Sequence, residues 1–202
     1  MNKAIAIIVL SILLSSLSLA QQWTNFTTAN SELPSNKVSS ICVDDFGHLW
    51  FGTDNGLARF DGMDWKIYQT TSEKQTLAGN GLLDVIYNFF NSMHELWIAT
   101  NNGVSVMEID VDMDAITYAT PFQMGNDDVL LPSNTITGVA VDAHHARWFG
   151  TDAGIAGFSG SEWKIYESSD HFDLTSDNIT SAFSKDDTTY FASIGGGVMR
   201  MT

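Results

Sequence analysis

Beyond residue 20, hydrophobic residues occur in short runs separated by Asp, Asn and Gly. None of these runs has helical period, and short apolar or alternating runs bounded by turn residues are typical of β-strands. Residues 33–72 show the pattern most clearly. The predicted strands there are Val38–Val43, Leu49–Thr53, Leu57–Phe60 and Trp65–Tyr68. The first of them is predicted to be an inner strand packed on both faces.

The chain contains an internal duplication. Leu33–Gln69, placed over Leu131–Glu167 at an offset of 98 and without gaps, is identical at 19 of 37 positions. Both copies begin with Leu-Pro-Ser-Asn, contain Trp-Phe-Gly-Thr-Asp and end with Trp-Lys-Ile-Tyr. This agreement excludes chance, so the second copy is predicted to form the same four strands.

Two weaker copies fill the intervals. The aromatic residues that anchor the four copies are spaced by 47, 51 and 42 residues. They are Trp50, Trp97, Trp148 and Tyr190. This spacing is typical of one four-stranded propeller blade per repeat. We therefore predict an all-β protein, a β-propeller of four antiparallel blades. The predicted blades are residues 33–72, 77–122, 131–170 and 174–202, the last with three strands.

The N-terminal segment resembles an outer strand without a blade. Gln22–Thr28 is similar to Asp64–Thr70, and the fourth copy lacks its own outer strand. Residues 21–30 are therefore predicted to complete the last blade, which would close a four-bladed ring and cover an open edge. Two alternatives stay open: an open fragment of a larger ring, and a homodimer in which two copies form one eight-bladed ring.

Residues 1–20 have the features of a signal peptide. Lys3 provides the positive charge, Ala4–Leu14 is an apolar run broken only by Ser11, and Ser18-Leu19-Ala20 is a small-residue cleavage site. The mature domain is expected to span residues 21–202 in the periplasm or outside the cell. No membrane association is expected after cleavage; a retained N-terminal anchor is the alternative.

The repeated string resembles a known family. Leu-Pro-Ser-Asn at Leu33 and Leu131, followed by Trp-Phe-Gly-Thr-Asp at Trp50 and Trp148, is similar to the two-component regulator propeller repeat. That repeat builds the periplasmic sensor regions of hybrid histidine kinases in Bacteroidetes and relatives. The resemblance implies recognition of a ligand or partner outside the cytoplasm, often of glycan character. Because the sequence has neither a kinase nor a membrane helix after the repeats, it does not imply signalling by the chain itself.

Charge and cysteine content exclude several classes. The formal net charge is −15 and no basic cluster is present, so a nucleic-acid partner is not expected. The same sign disfavours anionic lipids and sulfated or uronic polysaccharides. Cys42 is the only cysteine, so the chain has no internal disulfide. Its apolar neighbours predict a buried structural thiol.

A loop face provides the candidate ligand-binding residues. In propellers of this strand order, the loops entering the inner strands and the turns between second and third strands lie on one face. Polar Asx and Ser side chains recur there, and such a ring could hydrogen-bond a sugar or chelate a cation, although these residues also favour turns by bonding their own backbone. The candidates are Asn36, Asp54, Asn55, Asn101, Asn102, Asn134, Asp152 and Asn178.

No metal or other cofactor is expected. Asp110, Asp112 and Asp114 begin a calcium-loop pattern, but Ala115 and Pro121 stand where that loop needs Gly and Glu. A solvated hairpin is the preferred interpretation of this segment. The five histidines lack metal-ligand spacing and are predicted to be turn or surface residues.

No catalytic motif stands out, and no catalytic residue is predicted. Gly157–Ser161 is one residue short of a nucleophile elbow, and the repeated Asp44 and Asp142 are explained by a turn that each blade needs. We therefore predict a recognition module, not an enzyme, with a glycan or a protein as its partner. The alternatives are a polysaccharide lyase or glycoside hydrolase, marked by a lone His, Tyr or acid in the channel, and a truncated sensor remnant without function.

Overall fold

The computed structural model describes residues 22–71, 77–110, 115–118, 121–125, 128–170 and 173–202. These residues form fifteen β-strands in four antiparallel sheets and contain no helix, so the all-β prediction is confirmed. The predicted signal peptide, residues 1–20, lies outside the described residues. Since the described residues form no helix, they include none that is long and apolar enough to span a bilayer.

Each sheet is one blade, with its strands side by side in chain order. Blade 1 contains β1 (Val38–Val43), β2 (Leu49–Thr53), β3 (Gly56–Phe60) and β4 (Trp65–Tyr68). Blade 2 contains β5 (Leu82–Phe90), β6 (Met93–Thr100), β7 (Gly103–Asp110) and β8 (Ala115–Tyr118). Blade 3 contains β9 (Ile136–Val141), β10 (Arg147–Thr151), β11 (Gly154–Ser159) and β12 (Glu162–Tyr166). Blade 4 contains β13 (Ile179–Lys185), β14 (Thr188–Ser193) and β15 (Gly197–Met201).

A Thr and a Gly close the turn between the second and third strands. In blade 1 the hydroxyl of Thr53 donates to the carbonyl oxygen of Gly56 at 2.7 Å. Thr100 and Gly103 repeat the bond in blade 2, and Thr151 repeats it in blade 3. The φ angle of Gly56 is +112°, a conformation that side-chain-bearing residues rarely adopt. The repeated Gly is therefore required by the turn.

Neighbouring blades bury a hydrophobic core between them. We call the side of a blade that faces the next blade its trailing face, and the side that faces the preceding blade its leading face. The trailing-face residues are Trp50 and Leu57 in blade 1, Trp97 and Val104 in blade 2, and Trp148 and Ile155 in blade 3. The leading-face residues are Val85 and Ile98 in blade 2, Val139 and Phe149 in blade 3, and Ala182 and Phe191 in blade 4. A single repeat therefore buries its hydrophobic residues only when it packs against a neighbouring blade.

The four blades form an open arc. Inner strand β1 packs on β5, β5 on β9, and β9 on β13. Among the described residues, β13 shows no packing of comparable extent on β1. Closure of a four-bladed ring is therefore not shown, and the structure agrees with the open alternative.

The N-terminal segment lies on blade 1. Residues 22–27 form no strand, and β15 pairs with β14 alone within the described part of the chain. The ring of Phe26 instead lies 5.3 Å from that of Phe60 and 5.5 Å from that of Trp65. The predicted pairing of residues 21–30 with the last blade of the same chain is not seen among the described residues, because Phe26 packs on blade 1 instead.

The predicted burial of β1 on both faces is wrong. Ile41 and Val43 are 61% and 56% exposed, whereas Val139, the counterpart of Ile41 in blade 3, is 1% exposed. The physical reason is position, since Val139 lies between two blades and no blade precedes β1 in the described structure. The sequence of β1 is thus suited to a neighbour that the arc does not provide.

Candidate functional site

The predicted loop face exists as a connected surface. The backbone N–H of Gly56 donates to the carbonyl oxygen of Asn80 at 2.7 Å, which joins the second turn of blade 1 to the loop that enters blade 2. Gly103 makes the same bond to Asn134, and Gly154 makes it to Asp177, each at 2.7 Å. The two kinds of loop therefore lie on one face, and adjacent blades are held together there.

Asx side chains at the start of the inner strands hold the backbone. The side-chain oxygen of Asn36 accepts a hydrogen bond from the N–H of Thr28 at 2.8 Å. That of Asn134 accepts one from Met124 at 2.6 Å. The blade 2 and blade 4 loops have the same bond, with Asn80 accepting from Thr70 and Asp177 from Ser168. In blades 2, 3 and 4 the acceptor holds the end of the preceding blade, and Asn36 holds the N-terminal segment in the same way, so all four have a structural role.

The remaining candidates are divided between structural bonds and exposed positions. The amide groups of Asn55 and Asn102 donate to the carbonyl oxygens of Pro34 and Ala78 at 3.3 and 2.9 Å. Asp54 lies 3.8 Å from Lys37 in an exposed ion pair. The others, Asn101, Asp152 and Asn178, are exposed. Ligand binding by this face stays a prediction.

The repeated aspartates build the first turn of a blade. Oδ1 of Asp44 accepts from the backbone N–H groups of Phe46 and His48, and its Oδ2 accepts from Nε1 of Trp50 at 2.9 Å. Asp142 bonds Trp148 in the same way, at 2.9 Å. Burial alone would raise the pKa of Asp44, but these hydrogen bonds and the nearby His48 outweigh it and lower the pKa. A carboxylate held ionised in this way cannot serve as a general acid at neutral pH.

The inner strands line an open cavity of about 610 Å³, to which all four blades contribute. Among the described residues that line it, Asp84 is the one carboxylate: its Oδ1 accepts from the hydroxyl of Ser40 at 2.8 Å and its Oδ2 from the N–H of Val139 at 3.1 Å. It thereby ties blades 1, 2 and 3 together. Cys42 also lines the cavity, where burial, followed by the charges of Asp44 and Asp84, raises the pKa of its thiol to about 12. The predicted unreactive thiol is consistent with this environment.

A polar cluster joins blades 1 and 2 on the side opposite the predicted loop face. The hydroxyl of Tyr87 donates to Oδ2 of Asp45 at 3.0 Å and lies 2.6 Å from Nδ1 of His94. Because the single phenol proton is directed at Asp45, Nδ1–H of His94 is the donor to the tyrosine oxygen. Burial, followed by the hydrogen bond to Asp45 and its charge, raises the pKa of Tyr87. The phenol is therefore held protonated.

Aromatic rings surround the cluster. The ring of His94 lies 4.7 Å from that of Phe46 and 4.6 Å from that of Phe89. Phe46 and Phe89 are 40% and 50% exposed, so each presents apolar surface beside polar groups. A cavity of about 470 Å³ begins here and includes Phe46, His94 and Glu108 in its lining. We call Asp45, Phe46, Tyr87, Phe89 and His94 the Tyr87 cluster.

The Tyr87 cluster was not predicted from the sequence. His94 was expected to be a turn or surface residue, and it is partly buried against two phenylalanines. The available signal was asymmetry, since neither Tyr87 nor Phe89 belongs to the repeated string. Among the described residues no three His, Cys, Asp or Glu side chains converge on a metal position. Asp112 and Asp114, from the calcium-loop pattern, lie outside the described residues.

Comparison with known proteins identifies the repeat. Residues 32–55 match the family described as two component regulator propeller. A search of curated proteins found no match. Among solved structures, the extracellular domain of the hybrid two component system BT3049 from B. thetaiotaomicron is 23% identical, with a TM-score of 0.69 over 89% of this chain. The corresponding domain of BT4673 from the same organism is 20% identical, with a TM-score of 0.66 over 90% of this chain.

The chain matches different fractions of the lengths of these solved structures. The chain spans 25% of the BT3049 domain and 23% of the BT4673 domain, so it corresponds to about a quarter of each. The computationally designed Ika4 protein is 13% identical, with a TM-score of 0.56 over 89% of this chain and 98% of its own length. At these identities the comparisons show the propeller fold.

Proposed function

Because the chain carries the two component regulator propeller repeat at residues 32–55, we propose that it is an extracytoplasmic recognition module that binds a neutral glycan at the Tyr87 cluster. The proposal is supported by the extracellular sensor domains among the similar structures and by the predicted signal peptide. The observation that carries it is the convergence of Tyr87, His94 and Asp45 between two exposed phenylalanine rings.

The chemistry of the cluster fits a hydroxyl-bearing ligand. Asp45 is an acceptor, and the histidine ring and the tyrosine hydroxyl provide further polar atoms, so alternating hydroxyl groups of a sugar can be matched. The exposed faces of Phe46 and Phe89 offer apolar contact to the C–H face of a sugar ring. Binding sites in general combine apolar walls with a few placed polar groups.

Charge narrows the ligand class. The net charge of −15 and the carboxylates of Glu108 and Asp110 in the lining of the cavity oppose an anionic ligand. Neutral glycans are therefore favoured over sulfated or uronic chains.

The same geometry opposes the lyase alternative. A tyrosine that abstracts a proton needs a phenol that ionises near the working pH, which requires a lowered pKa. Burial and Asp45 act in the other direction on Tyr87. The convergence of His, Tyr and acid is thus better suited to binding than to proton abstraction.

An oligosaccharide array tests the proposal. Neutral oligosaccharides, uronic-acid oligosaccharides and unstructured peptides are presented to the purified protein and to Phe46→Ala and Phe89→Ala. Met63→Ala is the matched control, because Met63 is 85% exposed in a turn of blade 1 outside the cluster. We expect neutral glycans to bind to the wild type and the control, with about tenfold weaker binding in each phenylalanine variant. Absence of neutral-glycan binding, or equal binding by all four proteins, would overturn the proposal.

A further inference from the structure

The two ends of the arc expose the faces that the three internal junctions bury. On the trailing face of blade 4, Phe183, Tyr190 and Val198 are 64%, 38% and 72% exposed. Tyr190 is the counterpart of Trp50, which blade 2 covers until it is 0% exposed. On the leading face of blade 1, Ile41 is 61% exposed. These exposed surfaces consist of the same kinds of hydrophobic residue that the internal junctions bury. A further blade packed against each surface would therefore cover them.

The first strand-like segment of the chain lies where the outer strand of a preceding blade would lie. In blade 2, the backbone of Phe122 pairs with that of Val104. The ring centre of Phe122 lies 5.6 Å from that of Phe158 and 5.5 Å from that of Trp163, both in blade 3. Phe26 contacts Phe60 and Trp65, the counterparts in blade 1, at 5.3 and 5.5 Å. The bond from Thr28 to Asn36 repeats the bond from Met124 to Asn134. Residues 22–28 thus occupy the position of the outer strand of a blade that would precede blade 1.

Within the described residues, blade 4 has the first three strands of a blade and no fourth. In blades 1 and 3 the outer-strand tyrosine lies opposite the second residue of the third strand, as in the pairs Leu57–Tyr68 and Ile155–Tyr166. Val198 holds that position in β15, so the register places Phe26 opposite it. On the trailing faces of blades 1 and 3 the same aromatic contact recurs. The ring centres of Trp50 and Tyr68 are 5.7 Å apart, and those of Trp148 and Tyr166 are 5.9 Å apart. Tyr190 and Phe26 would make the same contact.

A cavity beside β15 fits the remaining side chain of the segment. It has a volume of about 440 Å³, and Phe191, Met199 and Met201 are in its lining. In blades 1 and 3 a tryptophan of the outer strand fills this position. The ring centre of Trp65 lies 5.6 Å from that of Phe51, and the ring centre of Trp163 lies 5.7 Å from that of Phe149. The counterpart in the N-terminal segment is Trp23, which is 88% exposed.

We propose that these edges are joined by a second copy of this chain. Residues 22–28 of each copy pair with β15 of the other, Phe26 lies opposite Val198, Trp23 enters the cavity at Phe191, and two four-bladed arcs form one eight-bladed ring with twofold symmetry. A second copy is the occupant that matches on both edges, because residues 22–28 resemble an outer strand and β15 pairs on one side alone among the described residues.

The backbone adds one specific bond. At each internal junction the hairpin Gly donates to the carbonyl oxygen before the next inner strand, as Gly154 does to Asp177 at 2.7 Å. The corresponding donor at the end of the arc is Gly197, and the corresponding acceptor at its start is Asn36. The twofold ring brings Gly197 of one copy to Asn36 of the other and so repeats the junction a fourth time in each chain.

Engineered disulfides distinguish the partner copy from closure within one chain. Phe26→Cys and Val198→Cys are made separately, each with Cys42→Ala, and the two proteins are mixed in denaturant, refolded together and oxidised. A disulfide between them is necessarily intermolecular. We expect a covalent dimer in the mixture and little in either protein refolded alone. Met63→Cys mixed with Val198→Cys is the control for random collision, because Met63 is 85% exposed in the turn between β3 and β4 and is not one of the two positions that the proposed pairing brings together.

The double variant, with both cysteines in one chain, provides the second measurement. Covalent dimer that carries two disulfides supports the ring of two copies. A disulfide formed within single chains, or a mixture that gives no more covalent dimer than the Met63→Cys control, would overturn it. The result does not depend on glycan binding at the Tyr87 cluster, which lies at the junction of blades 1 and 2.

Discussion

The backbone N–H of Thr28 donates to the side-chain oxygen of Asn36 at 2.8 Å, across eight residues of chain. The same latch joins Met124 to Asn134 between blades 2 and 3. A device found at the start of the first blade is therefore the one used between complete blades. It shows that the segment before blade 1 is placed as the end of a preceding blade.

Removal of one latch should destabilise the arc. Asn134→Ala leaves the N–H of Met124 without its acceptor at 2.6 Å, and we expect a loss of about 1 kcal/mol in the free energy of unfolding. Urea unfolding followed by tryptophan fluorescence measures it. Asp152→Ala is the matched control on the same face, and its exposed side chain should cost less than about 0.5 kcal/mol. Equal effects of the two substitutions would show that the latch has no role.

The buried carboxylate of Asp44 should make stability depend on pH. Its pKa is lowered from 3.8, so the stability that its ionised form provides is complete above that value and is lost as the pH falls through the lower folded-state pKa. Asp44→Asn, which cannot ionise, should be less stable at pH 7 by about 2 kcal/mol and should lose less stability between pH 4 and pH 2. Urea midpoints across this range measure both effects. Parallel curves for wild type and variant would contradict the assignment.

The thiol of Cys42 should be almost inert in the folded protein. A pKa of about 12 leaves it protonated at pH 8, and the thiolate is the reactive form. We expect labelling by a disulfide reagent to be slower in the native protein by about 100-fold or more than in urea, where the pKa returns to an ordinary value. The unfolded protein is the control. Native labelling at the unfolded rate would show that the thiol is exposed and ionised.

Two glycines, Gly138 in the inner strand of blade 3 and Gly52 in the second strand of blade 1, should respond differently to an added methyl group. A Cβ at Gly138 would lie 2.6 Å from the backbone nitrogen of Ala182, so blades 3 and 4 would be forced apart. We expect Gly138→Ala to lower the free energy of unfolding by about 1–3 kcal/mol. At Gly52 the nearest atoms are 3.4 Å away, which is ordinary contact, and Gly52→Ala should be close to neutral. Similar losses at both positions would show that the blades are not this closely spaced.

Much of the fold could be predicted because the repeats share identical residues in the sequence. Trp50 and Trp148 occupy the same site in two blades, each bonded to the aspartate six residues before it, so identity in sequence became identity in contact. The exposure of Ile41 could not be predicted in this way. Its counterpart Val139 is buried, and only the arrangement of whole blades determines which of the two has a neighbour.

The candidate site was less accessible to sequence reasoning for a related reason. Repetition marked Asn36 and Asn134, which the structure shows to be latches, since every blade needs them. The Tyr87 cluster arises once, from a turn of blade 1 meeting a long hairpin of blade 2, and no local pattern links Asp45 to Tyr87. Chemistry that depends on contact between blades is visible only when the blades are assembled.

The mass of the protein in solution tests the central claim, that the two edges of the arc complete each other. Sedimentation velocity of the wild type should give twice the chain mass at micromolar concentration. Trp23→Ala should shift the protein toward the single-chain mass without loss of folding, because that side chain is 88% exposed in the single chain, and Met63→Ala should sediment as the wild type. A wild type that sediments as a single chain at every concentration, or a Trp23→Ala variant that dimerises as tightly as the wild type, would contradict the account.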